Sequence, residues 1–122
     1  MSENYQKTVY EAVKLEGVGL HSGTQSKINI LPGKEDQGII FKRVDLKENN
    51  FVEAKYENVT SARLCTTLEN KFGVKVSTVE HLMAALYILE IDNAFIEIDN
   101  EEVPIMDGSA RDFLNAIKRV EL

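Results

Sequence analysis

The chain has 122 residues, 43% hydrophobic and 28% charged. This is ordinary globular composition, enough for one domain with a real core, and it excludes a disordered chain. With 14 basic residues against 20 acidic ones, the formal net charge is −6 and there is no basic block, which makes the chain a poor candidate for nucleic-acid binding by phosphate neutralisation.

The polar, mixed-charge start from Met1 to Lys7 is not a secretory signal. In chain order, Thr8 to Glu16 alternates loosely and runs into a glycine-punctuated turn, Gly17-Val18-Gly19-Leu20-His21-Ser22-Gly23. Lys27 to Ile30 has the period-2 pattern of a half-buried strand, and Gly38 to Lys42 is a second short strand. After a polar stretch from Asp45 to Asn50, the segments Phe51 to Tyr56, Ala62 to Leu68 and Val74 to Val76 read as strands. The last two are joined by a hairpin loop at Glu69 to Gly73. Ser77-Thr78-Val79-Glu80 is a capping box ahead of a helix from Val79 to Glu90. A strand from Ala94 to Asp99 turns at Asn100-Glu101-Glu102 into Val103-Pro104-Ile105, and Ser109, with Asp112 in the box position, caps a second helix to about Arg119. Antiparallel strands with helices segregated to one face predict a two-layer α+β sandwich.

The two helices differ. The second places Ala110, Phe113, Leu114 and Ile117 on one stripe, an ordinary amphipathic helix. The first carries no charge from Leu82 to Leu89, the chain's longest apolar run and far too short to span a membrane. A helix apolar all round needs cover on every side, whereas a two-layer domain covers one flank. Either the second helix and a loop close over it, or an outside partner does. The short Ala84 and Ala85 lean towards a close-packed helix neighbour.

Glu80 and His81 open this helix as neighbours. An imidazole that can bind a metal, beside a carboxylate that can take a proton from water, is the minimum for metal-assisted hydrolysis. Taken singly, Glu80 reads first as a cap and His81 as a helix-start histidine. The position four beyond His81 is Ala85, so no zincin motif exists. The chain offers only His21 and His81 as histidines, with Cys65 or a carboxylate as a third donor, so a catalytic zinc either uses these or borrows ligands. Cys65 alone reads as a small buried hydrophobe; being the only cysteine, it forms no internal disulfide and fits a reducing, cytoplasmic setting. The glycines around His21 join strands and make a tight turn rather than a nucleotide loop, and Asp107-Gly108-Ser109 reads as a turn plus helix cap.

Taken together, the segments Gly17 to Gly23, Leu64-Cys65-Thr66, Ser77 to Leu86, Ile91-Asp92-Asn93 and Pro104 to Ala110 occur in an order that resembles the amino-terminal half of the zinc-dependent UDP-3-O-acyl-N-acetylglucosamine deacetylases of lipid A synthesis. The resemblance covers essentially the whole chain. It implies that residues 1–122 form domain I of a two-domain enzyme whose helix layers pack together around the active site. It implies Glu80 as general base acting on zinc-bound water and His81 as one of three zinc ligands. The other two, a histidine and an aspartate, belong to a second domain that these residues lack. Leu64 and Cys65 match the strand lining the sugar pocket, and Asp45 to Tyr56 a small insert near the cleft mouth. His21 and Asp107 receive no role beyond turn structure and a second-sphere contact. The implied reaction hydrolyses the 2-acetamido group of a UDP-sugar lipid precursor to amine and acetate. The zinc site is incomplete here, and the isolated chain is expected to be inactive.

Two other readings stand beside this one. A non-catalytic module could self-associate through its helix layer as a two-fold homodimer. A self-contained metal hydrolase would use His21, His81 and Cys65 or a carboxylate.

Overall fold

The computed structural model of the protein describes residues 5–61 and 65–118. The chain forms strands β1 (Val13–Val18), β2 (Gln25–Pro32), β3 (Ile39–Arg43), β4 (Phe51–Glu53), β5 (Val59–Ser61), β6 (Thr66–Glu69), β7 (Lys75–Ser77) and β8 (Ala94–Ile98), all but β5 expected from the sequence, with helices α1 (Glu80–Ile88) and α2 (Arg111–Lys118). They form a five-stranded sheet in the order β1-β2-β8-β3-β4 and a three-stranded sheet in the order β5-β6-β7. Every pairing is antiparallel except β3 with β8, where Phe41 lies opposite Ile96. That parallel pair needs a long crossover, and the chain between β3 and β8 carries the small sheet and α1. The architecture is the expected two-layer α+β sandwich, with both helices on one face.

Period-2 burial is clean where it matters. Ser26, Ile28 and Ile30 of β2 and Ala94, Ile96 and Ile98 of β8 are buried, and their neighbours along the strand are not. These side chains share one core with Phe41, Val52, Leu82, Ala85, Leu86, Phe113 and Ile117. Each large apolar side chain so buried contributes roughly 1.5–3 kcal/mol. On α2, Phe113 and Ile117 are buried, Ala110 and Leu114 pack against the core, and Arg111, Asn115 and Lys118 are exposed, as the stripe requires.

Several boundaries move for local reasons. The first strand starts at Val13, after a bend at Tyr10 and Glu11; upstream of the bend the Lys7 carbonyl accepts from the N–H groups of Asp92 and Asn93 at 2.8 and 3.1 Å. The strand from Phe51 ends at Glu53, whose carbonyl accepts from the Asn58 side chain at 2.8 Å beside a single 3-10 turn at Tyr56–Asn58. Val103 to Ile105 is not a strand paired with β8. Pro104 has no N–H to give a ladder, and the segment is held by a bridge between Glu102 and Ser77 and by the Ile105 N–H donating to Val18. The expected hairpin after β6 is present. The Asn70 carboxamide oxygen accepts from the N–H groups of Phe72 and Val74, and Gly73 takes the left-handed conformation at φ 84°.

Alpha1 bears on function most directly. Leu82, Ala85 and Leu86 are buried and Met83 and Leu89 half-buried, while Ala84, Tyr87 (84% exposed) and Ile88 (59%) face outward. Alpha2 therefore does not close over α1, and the outer flank of the apolar helix is open.

Candidate functional site

The start of α1 is built on the start of β6. The carbonyl of Thr66 accepts from the N–H groups of both Thr78 and Val79, at 2.9 and 3.2 Å. In return, the Thr66 N–H donates to Oε1 of Glu80 at 3.2 Å. This overturns the capping box. Thr78 is left-handed at φ 60°, and the Ser77 N–H is taken by the Glu101 carbonyl at 2.7 Å, so no reciprocal Ser77–Glu80 pair can form. Val79 occupies the cap position without a side-chain hydrogen bond. The carboxylate of Glu80 is thus drawn off the helix axis, across to the neighbouring strand.

His81 follows, half-buried; among the described residues its imidazole has no hydrogen-bond partner. Cys65 immediately precedes Thr66 and is half-buried, its Sγ 3.7 Å from Oγ1 of Thr67. The Thr66 contact brings Cys65 next to Glu80 in space. Leu64 lies outside the described residues, as does the Arg119 end expected for α2. Beside Glu80 opens a groove of about 200 Å³ walled by Ala54, Tyr56, Val59, Leu68, Val79 and Met83. Larger clefts of about 480 and 570 Å³ lie elsewhere and contain none of the candidate residues.

Neither His21 nor Asp107 is hydrogen-bonded to Glu80, His81 or Cys65. The His21 side chain is exposed on the turn that Gly19 and Thr24 close at 2.9 Å. Asp107 accepts from the N–H and hydroxyl of Ser109 and pairs with Arg111 at 3.0 Å. The Ser109 hydroxyl and then Arg111 hold its carboxyl below the usual range. Ser109 in turn accepts from the Arg111 N–H at 3.2 Å, as a cap does, but its own N–H is taken by Asp107 at 3.1 Å, so the expected box with Asp112 is not formed. Among the described residues, no three His, Cys, Asp or Glu side chains gather into a metal site, which removes the support for a self-contained hydrolase using His21, His81 and Cys65.

Glu102 went unnoticed in the sequence. It is 4% exposed and accepts from the His21 and Ser22 N–H groups and, at 2.7 Å, from the Thr78 hydroxyl. Burial pushes its carboxyl up, but these hydrogen bonds outweigh burial and hold it below the usual carboxylate range. The signal was available: the alternation Ala94, Ile96, Ile98, carried on by twos, reaches Glu102.

The start of α1 thus sets a carboxylate, steered towards β6, beside an imidazole at the edge of a small apolar groove: a proton acceptor and one nitrogen donor side by side. The family can be stated directly. The sequence profile of the LpxC family, UDP-3-O-acyl N-acetylglycosamine deacetylase, matches residues 6–122, and the chain belongs to that family. UDP-3-O-acyl-N-acetylglucosamine deacetylases of Shewanella baltica strains OS155 and OS185 are 48% identical to it over 110 residues, 90% of this chain and 36% of each relative. The enzyme of Shewanella sp. strain W3-18-1 matches to the same extent. The chain therefore spans about a third of the length of these relatives.

Proposed function

We propose that the chain is the amino-terminal part of a zinc-dependent deacetylase that hydrolyses the 2-acetamido group of a UDP-3-O-acyl-N-acetylglucosamine to the free amine and acetate. The observation that carries this reading is the Thr66–Glu80 hydrogen bond beside His81, in a chain of this family. It holds one carboxylate oxygen in place and leaves Oε2 to take the proton of the attacking water. A carboxylate in that role contributes about 10²–10⁴-fold. His81 offers one imidazole ligand, which fits zinc in part. The remaining donors come from the length of the family that this chain does not match. When bound, zinc supplies Lewis acidity towards the attacking water and the amide carbonyl. In this reading Leu64 and Cys65 belong to the sugar subsite, and the apolar groove beside Glu80 adjoins it.

The open flank of α1, with Tyr87 and Ile88 exposed, supports docking of the rest of the enzyme there, so that the metal site is completed between the two parts. The test supplements the 122-residue chain with the carboxy-terminal part of a family enzyme and measures acetate release. The chain alone gives none, the mixture turns over, and Glu80→Gln lowers its rate at least 100-fold. Turnover by the chain alone overturns the two-part reading. The same exposed residues favour one other reading, self-association through α1. A concentration-dependent dimer in sedimentation, together with no activity in the mixture, selects it.

A further inference from the structure

The deacetylase reading gives no task to Glu102, the most enclosed carboxylate among the described residues, and the inference drawn here rests on that reading. Glu102 ties together segments far apart in sequence: its oxygens accept from the N–H of His21 at 3.0 and 3.1 Å, from the N–H of Ser22 at 2.8 Å and from the hydroxyl of Thr78 at 2.7 Å. The fit is tight, since a Cβ on Gly19 would lie 2.4 Å from Oε1. A side chain at Gly19 would press on the carboxylate and on the Ser22 hydroxyl, and one of them would have to move. Thr78 is also the left-handed residue, φ 60°, that turns the chain from β7 into α1, two positions before Glu80. A threonine pays for that conformation in strain, and the surroundings must hold it there. They do so at both ends: the Thr78 N–H is fixed on Thr66, which also orients Glu80, and the side chain is fixed on Glu102.

We propose that Glu102 is a positioning residue for the deacetylase site: through the Thr78 hydroxyl it sets the entry of α1 and so aims Glu80 and His81, while touching no substrate. The His21 turn is then the clamp that holds Glu102, which gives the glycine-rich segment a purpose other than ligand binding.

Thr78→Val and Thr78→Ser form the decisive pair. Valine keeps the β-branched shape and the backbone strain but loses the hydroxyl; serine keeps the hydroxyl. In the chain supplemented with the carboxy-terminal part of a family enzyme, Thr78→Val is expected to lower kcat about tenfold or more with KM within twofold, and Thr78→Ser to restore most of it. A misplacement of about 1 Å can cost a hundredfold. Independently of catalysis, the Thr66 amide of the 122-residue chain reports the Glu80 contact by NMR. Its shift and exchange rate change in Thr78→Val and Glu102→Gln while the amides of α2 do not. Unchanged kcat, or an unmoved Thr66 amide in Thr78→Val, overturns the proposal, as does equal loss in the serine variant. If the wild-type mixture has no activity, the deacetylase reading falls, and the Thr66 amide alone decides whether Glu102 positions α1.

Discussion

Glu102 and Asp45 make acid sensitivity a property of single residues. Asp45 is held below the usual range first by the Arg43 side chain, which grips it bidentately at 2.9 and 2.7 Å. Glu102 is held there by the amides of the His21 turn and the Thr78 hydroxyl against the push of burial. A carboxyl whose native pKa lies below its unfolded value contributes its full stability above the unfolded value and loses it as pH falls through the depressed native one. The urea midpoint is therefore expected to hold steady from neutrality to about the unfolded carboxylate value near 4, and to fall below it. In Glu102→Gln that fall is shallower, because one of the linked groups is gone; a parallel decline in both proteins would remove Glu102 from the account. Residues of this kind are the least legible from sequence. Glu80 reads as a cap by pattern, because Ser77 stands three positions before it. It is not one, because β6, a strand the pattern finds without showing that it lies against the start of α1, offers its Thr66 N–H instead.

At the scale of elements, α1 ends as well as begins on a left-handed residue. Glu90 has φ 58°, the Ile91 N–H reaches back to Leu86 at 2.9 Å, and Ile91 is buried. This is a Schellman ending with a side chain at the position glycine prefers. The Lys7 side chain adds a hydrogen bond to the Leu89 carbonyl at 2.8 Å. Relieving the backbone, Glu90→Gly is expected to raise stability by about 1 kcal/mol, read as a higher urea midpoint at unchanged slope. The elements themselves were mostly legible. Period-2 alternation found β2, short apolar segments found β3 and β8, and the stripe on α2 matched its burial. Ends were misplaced where tertiary hydrogen bonds intervene, as at Lys7 and Asn58.

For the whole molecule, the informative feature was the charge-free run from Leu82 to Leu89. The sequence leaves open whether this chain covers it; the fold leaves Ala84, Tyr87 and Ile88 outside. The metal donor count was less legible: two histidines with Cys65 or a carboxylate number enough for a catalytic zinc, and it takes the fold to show that no three such side chains gather among the described residues. Tyr87→Glu and Ile88→Glu are expected to leave the stability of the chain within about 0.5 kcal/mol, as surface changes do. They should weaken its association with the carboxy-terminal part at least tenfold, measured as Kd by calorimetry. A Kd equal to wild type would place the contact elsewhere.

Strand order also dictates when this protein can become itself. Beta8 lies between β2 and β3 at the middle of the large sheet, yet it leaves the ribosome after seven other strands and a helix. Until Ile98 has emerged, the two flanking hairpins have no shared partner and their oily faces stay wet. A nascent chain paused before Ala94 is therefore a chaperone client and an aggregation hazard rather than a partly finished domain.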